Sequence, residues 1–364
     1  MKLSLPWRKR SADPFAKGAP WVGSNRSLSR LSRDALSIVP VYAATNLIAD
    51  HLASAPLHAY RETAGRPQRL PAQPSLCTDP GVGLDRYSWV HQAATSVLLQ
   101  GNSYGLISEL DGRGIPSKVV WLRPEEVSIN VIDGVVKYLW KGTELPRADV
   151  IHVPGYVLPG SPKGLSPIGL FREQLETVLE AQAFGRRFFT RGVLPNAIFR
   201  HEKMKVDPAE AAAIRARLNL SIENHEPMVL GSDWDYTAVQ LPPADVQFLA
   251  GVRATANQVA AAYRVAPEDV GGSVEGGASV TYKNLEMDQL RFATRTLRPW
   301  AARFEAVLNR YLPEGEYVRF NLDASVRADL LTRYKAHELA LKNGFKTIDE
   351  VRALEEMAPL AAGS

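Results

Sequence analysis

The sequence predicts an α+β fold, and three observations lead there. Residues 103–157 alternate apolar and polar positions in short runs broken by turn signals, the two-residue period of strands. Residues 166–192 and 244–264 switch to the 3.6-residue period of helices. With 364 residues, 45% apolar and 23% charged, the chain is long enough for two or three domains with ample core.

The elements follow in order. Residues 1–35 form an arm rich in Ser, Pro and Gly, expected to be disordered in isolation. Its first 33 residues hold eight Lys or Arg against Asp13 alone. The chain's net charge is +4, so everything after residue 33 sums to −3. Residues 37–59 predict an amphipathic helix entered through Pro40, with Ile48 and Leu52 facing inward. A Pro- and Gly-rich connection is expected over 61–86, then a helix from Trp89 to Gln100 stopped by Gly101. Strands are predicted at YGLISEL, KVVWL, VSINVI, VKYLW and DVIHV.

Ser166 before Pro167 marks a helix start, because Pro at the first turn needs no N–H partner. That helix stops at Arg191-Gly192. A small α/β insert follows, with strands at AIF, MVL and YTAVQL around a short helix capped by Asp207, closed by Pro242-Pro243. The next helix, 245–264, carries a stripe of Phe248, Val252, Ala256, Val259 and Tyr263 among many small residues. A long helix from Tyr282 to Leu312 contains Pro299, where a kink is expected. A strand at YVRFNL and two last helices complete the chain.

Enzyme chemistry finds little footing. His337-Glu338 begins a zinc-protease motif, but position 341 is Leu. His51 and His58 lie seven apart on one predicted helical face with no acidic or Cys partner. Ser166 is one residue off the nucleophile elbow. Cys77 is the only cysteine, which excludes an internal disulfide, and no His or Arg pattern activates it. No catalytic residue, cofactor site or metal site is predicted, and no apolar run approaches a membrane span. Glu173, Glu176 and Glu180 run beside Arg172, Arg186 and Arg187, which predicts a solvated or intersubunit face.

The segment VAPEDVGGSVEGGASVTYKN, 265–284, holds two Gly-Gly pairs and no Lys or Arg before Lys283. It lacks the Lys and Ser/Thr of a phosphate loop, and Glu268, Asp269 and Glu275 would repel phosphate. The dinucleotide spacing is absent as well. A mobile connection between helices is the residue-level reading.

Four fragments give this strip a purpose. SPIGLFREQLETVLEAQAFGRRFFTRGVLPNAIF, FLAGVRATANQVAAAYRVAPEDVGG, SVTYKNLEMDQLRFATRTLRPW, and RADLLTRY with NGFKTIDEVR occur in that order. In this order the chain resembles the HK97-like phage portal family from about Leu36 to Pro359. The resemblance implies a wing over 36–165, a first stem helix over 166–192, a clip over 193–243 and a second stem helix over 244–264. It further implies a tunnel loop over 265–281, a long wing helix and strand over 282–323, and a crown-like end over 324–364. It implies a homo-oligomeric ring of twelve at one capsid vertex of the virion, assembled in the host cytoplasm. Terminase large subunit, major capsid protein and head-tail adaptor are the implied partners, and double-stranded DNA passes without sequence-specific contact. Carried over residue by residue, the channel loop is Val270, Gly271, Gly272, Ser273, Val274, Glu275, Gly276, Gly277, Ala278 and Ser279. Arg253 and Arg264 belong to the stem, and Trp234 and Tyr236 to the partner surface of the clip. Family members often have a second proline where this chain has Ala266. A different reading from the residues alone is a nucleic-acid-binding scaffold acting through the basic arm.

Overall fold

The computed structural model describes residues 25–190, 197–201, 207–209, 212–214, 216–217, 234–238, 247–272, 282–322, 330–355, 357 and 360, apart from Ala64 and Asp133. It opens with a correction. Helix α1, Asn25–Ala35, occupies the end of the expected disordered arm, with Leu31 and Ala35 buried in the core. Leu28, Leu31 and Ala35 fall at helical spacing, a signal hidden among Arg26, Arg30 and Arg33.

Helix α2, Val39–Ser54, starts with Pro40 in its first turn. The predicted helix to Ala59 is cut short, because Pro56 forces Ala55 into extended backbone (φ −63°, ψ 126°). The chain continues as strand β1, Leu57–Thr63, and hairpin partner β2, Arg66–Arg69, where a plain connection was expected. His58 therefore sits on a strand, and the shared helical face with His51 does not exist. β1 also pairs with β13, Glu316–Phe320, from Leu57↔Phe320 to Arg61↔Glu316. A partner some 255 residues away leaves no local trace.

The short helix α3, Ser75–Thr78, precedes α4, Arg86–Gln100, whose cap Asp85 accepts from the Ser88 amide at 2.6 Å. The predicted strands follow as β3 (Asn102–Leu110), β4 (Pro116–Leu122), β5 (Val127–Ile132), β6 (Val135–Trp140) and β8 (Val150–Pro154). A short β7, Thr143–Leu145, was not foreseen. They form two antiparallel sheets, β4-β3-β8 and β5-β6-β7. Sheet and helix lock through two indoles. Trp89 donates to the Val119 carbonyl at 3.0 Å, and Trp121 donates to the Trp89 carbonyl at 2.9 Å.

A small ribbon, β9 (Tyr156–Val157) with β10 (Gly164–Leu165), leads into helix α5, Pro167–Leu170, and α6, Arg172–Thr190. Strands β11, Ala197–His201, and β12, Trp234–Ala238, pair antiparallel. Helix α7 spans Gln247–Tyr263. The long helix is realised as α8, Tyr282–Phe292, a widened π turn at Ala293–Leu297, and α9, Arg298–Leu308. The proline disturbance is thus absorbed just ahead of Pro299, where the Arg298 amide reaches back five residues to the Ala293 carbonyl. Helices α10, Leu330–Lys342, and α11, Ile348–Leu354, end the described chain. Thr347 and Glu350 cap α11 reciprocally, the Thr347 amide on the Glu350 carboxylate at 2.8 Å and the Glu350 amide on the Thr347 hydroxyl at 3.3 Å.

One hydrophobic core joins α1, α2, α4, β1, β13, the start of α6, the end of α7 and α9. A smaller one, Tyr104, Leu122, Val127, Tyr138 and Val150, holds the two sheets together. Glu316 links distant parts. Its side chain is only 2% exposed and takes Arg61 and Arg113 on separate oxygens, each at 2.5 Å. Burial alone would raise its pKa, but the two guanidiniums outweigh that and hold the carboxyl below its usual value. We predict that Glu316→Gln lowers unfolding free energy by about 2 kcal/mol at neutral pH, by weakening charge-assisted bonds in a buried setting. A depressed carboxylate pKa gives stability that is present above the unfolded pKa and lost below it. The gap between variant and parent in urea titrations is therefore expected to narrow as pH falls below 4.5.

Candidate functional site

Two helices frame the candidate site, α6 leaving the body and α7 returning to it. What positions them is the last turn of α4. Four carbonyls at a helix end have no partner within the helix, and here each is met differently. Val97 takes the Gly101 amide at 2.8 Å, and Leu98 takes the Tyr263 hydroxyl of α7 at 3.1 Å. Leu99 takes the Ser166 hydroxyl at the base of α5 and α6 at 2.7 Å, and Gln100 takes the side-chain Nδ2 of Asn102 at 3.2 Å. Ser166 also accepts from the Gly169 amide at 3.0 Å, so it performs the predicted capping and anchors the helix base as well.

The chains meet too closely here for side chains. Gly101 has φ +74°, and a Cβ on it would lie 2.1 Å from the Leu165 carbonyl oxygen. Its own carbonyl accepts from the Gly155 amide at 2.8 Å. Arg303 of α9 donates to the Gly155 carbonyl and lies over the Trp300 ring.

A polar chain extends from this junction into the sheets. Asn102 pairs with the Gly164 backbone, amide to carbonyl and amide to side-chain oxygen, both at 2.8 Å. That oxygen is an acceptor, so His152 Nε2, 3.0 Å away, must donate to it. Nδ1 is then the acceptor for the Tyr138 hydroxyl at 3.2 Å. The imidazole is neutral. Burial, then the positive charges of Arg310, Lys163 and Arg147, push its pKa down to about 3.

The glycine-bearing strip begins in an ordered turn. Arg264 takes φ +58°, and its carbonyl accepts from Thr296 in the π turn at 2.5 Å. A 3₁₀ turn at Pro267–Val270 follows, burying Val270 in the main core. Burial, then Glu268, raises the pKa of Asp269. Gly271 has φ +78°, and a Cβ on Gly272 would sit 2.4 Å from Asn257 Oδ1 and 2.9 Å from the Pro267 carbonyl oxygen. This corrects the expectation of a wholly mobile strip. Gly271 is required for a left-handed turn and Gly272 for close packing, so neither serves chiefly as a hinge.

Ser273, Val274, Glu275, Gly276, Gly277, Ala278 and Ser279 lie outside the described residues. Arg253 lies in the backbone of α7, and Arg264 is exposed at its end. Trp234 and Tyr236 occupy alternate register positions of β12, opposite His201 and Phe199. Of these four residues, Arg264 directly precedes the strip. No group of three or more His, Cys, Asp or Glu side chains suited to a metal occurs among the described residues. Cys77 is buried, and burial pushes its thiol up to about 12. His337 bonds Glu355, which Arg333 also engages.

An α+β body with two helices docked on one helix end and an acidic, glycine-bearing turn beside them is the architecture. The model of the phage portal protein family matches residues 40–356. Over 362 residues the chain is 30% identical to the probable portal protein of Streptomyces phage phiC31, covering 91% of this chain and 77% of that one. Its fold is similar to a chain of the virion of the native gene transfer agent particle (TM-score 0.62, 21% identity, 93% of this chain and 95% of that one). The neck of that native particle, computed with C12 symmetry, gives a TM-score of 0.58 at 20% identity with the same coverages. An HK97 family phage portal protein from Corynebacterium diphtheriae gives 0.59 at 15% identity, over 81% of this chain and 96% of that one. The chain belongs to the phage portal protein family.

Two predictions follow from the junction. Tyr263→Phe and Ser166→Ala each strand a carbonyl at the end of α4, and each is expected to cost about 1 kcal/mol in urea unfolding. Neither should change the fold, as circular dichroism would register. A neutral buried histidine binds its proton only in the unfolded chain between pH 6.5 and about 3, so stability is present above 6.5 and lost as pH falls through that window. The loss approaches about 1.4 kcal/mol per pH unit. In His152→Gln that slope is expected to flatten, as unfolding titrations at stepwise lower pH would measure.

Proposed function

We propose that copies of this chain close into a ring whose channel passes double-stranded DNA at one vertex of a virion, a structural rather than catalytic role. The observation that carries this reading is the portal family match across residues 40–356, on a fold shared with a particle neck solved in twelvefold symmetry. In this reading 166–192 and 244–264 are the stem, 193–243 the clip and 265–281 the loop facing the channel. Trp234 and Tyr236 present the clip to terminase and later to head-tail adaptors, while the wing meets the major capsid protein.

The chemistry of the strip suits that place. Each phosphate that a protein neutralises adds a salt-dependent increment of affinity, which would brake a sliding duplex. From Val265 to Tyr282 the chain has no Lys or Arg and three carboxylates. Val270 and the Gly271-Gly272 turn anchor the start of the strip to the body.

The exposed small residues of α7, such as Ala261 and Ala262, suit close helix approach, and side-by-side copies of one chain close when the rotation between them does. Native mass spectrometry is expected to find closed rings, and monomers alone at every concentration would refute the reading. Replacing Glu275 and Ser279 with Arg lines the channel with cations. DNA packaging is expected to slow at low salt and recover as salt screens the contacts. Wild-type rates with unchanged salt dependence would remove the strip from the DNA path.

A further inference from the structure

A cavity of about 570 Å³ opens between β6, the turn at 147–149, β8 and the end of α9. Its apolar lining includes Val136, Val150 and Val307. The uncharged polar side chains in it are engaged within the protein. The Tyr138 hydroxyl bonds His152, His152 bonds Asn102, the Tyr311 hydroxyl donates to the Val150 carbonyl at 2.6 Å, and Ser161 donates to the Lys163 carbonyl at 3.0 Å. Two lining side chains stand apart. Arg147 and Arg310 are exposed and form no hydrogen bond or ion pair among the described residues. They come from different elements, one from the turn before β8 and one from the turn after α9. Asp149 is close in sequence but does not line the cavity and forms no ion pair with Arg147 among the described residues.

From this arrangement we infer that the cavity receives an acidic segment of a protein partner, an apolar side chain entering between the valines while a neighbouring carboxylate meets Arg147 and Arg310. An arginine offers a carboxylate a planar pair of donors, so two unpartnered ones at an apolar opening select an anion attached to something apolar. The positive field is already felt inside, where Arg310, Lys163 and Arg147 help keep His152 neutral. A projecting segment fits better than a free small acid. Small-molecule sites enclose most of their ligand, whereas here both cations stand in solvent at the rim. A phosphodiester backbone, being polar throughout, would leave the valine lining unfilled. The inference concerns the wing alone and does not depend on the channel reading.

The test uses the full chain and fluorescein-labelled Leu-Glu-Phe-Glu-amide, followed by anisotropy at low salt. Binding is expected, weakened about tenfold or more in the double variant Arg147→Gln, Arg310→Gln, a change of about 1.4 kcal/mol. The Gln analogue of the peptide should bind weakly to the parent, and Arg172→Gln, a surface arginine of α6, should leave binding unchanged. No binding of the acidic peptide, equal binding of its Gln analogue, or full binding by the double variant would each overturn the inference. Displacement by phenylacetate at concentrations as low as the peptide requires would overturn the peptide assignment in favour of a free small acid. Native mass spectrometry of the same double variant reports ring closure separately, so failure of this site and failure of the channel reading are distinguishable.

Discussion

The end of α4 must satisfy four carbonyls, and the rest of the structure is arranged around how it does so. Local capping by Gly101 and Asn102 meets two of them. The other two reach outward, to Ser166 at the base of one long helix and Tyr263 at the base of the other. Residues 67 and 165 positions away are thereby fixed against one turn of helix. A buried carbonyl left without a partner costs more than the bond itself contributes, so these contacts define where α6 departs and α7 returns.

The same junction explains why the surroundings are so intolerant of bulk. Gly101 and Gly155 share a backbone bond, and Arg303 closes over the Gly155 carbonyl. From there Asn102 hands the network to His152 and Tyr138, tying the two sheets to the helix end. On the far side, Glu305 and Asn309 of α9 and its following turn accept the Phe320 and Val318 amides of β13 at 2.9 and 2.7 Å. Glu316 then binds that strand to Arg61 and Arg113. A load applied to either long helix therefore meets a polar framework that runs from the end of α4 to the sheets, with a second one between α9 and β13.

Much of this was legible in the sequence wherever the cause was local. Five of the six strands between 102 and 154, the cap at Ser166 and the two long helices follow from period and turn chemistry, and all stand in the structure. The β1–β13 pairing was not legible, because its partners are far apart and β1 reads as the tail of a helix until Pro56 is given its weight. Helix α1 was hidden by its arginines. At the candidate site, Tyr263 and Ser166 were read as an apolar stripe and a cap. Their hydroxyls' second role depends on tertiary placement, which no spacing encodes. Gly271 and Gly272 were read as freedom, and their backbone geometry gives the opposite meaning. The order of the four fragments carried the family, since order and spacing along a chain survive changes that erase individual side-chain signals.

In the proposed ring, copies of this chain surround a channel and turn residues 265–281 toward it. The most direct measurement is an electron cryomicroscopy map of the purified full chain. It is expected to show a closed ring with α6 and α7 around a central hole wide enough for duplex DNA, and the 265–281 segment of every copy at its narrowest point. A ring whose hole is lined instead by the β5-β6-β7 sheet, with that segment on the outer surface, would contradict it.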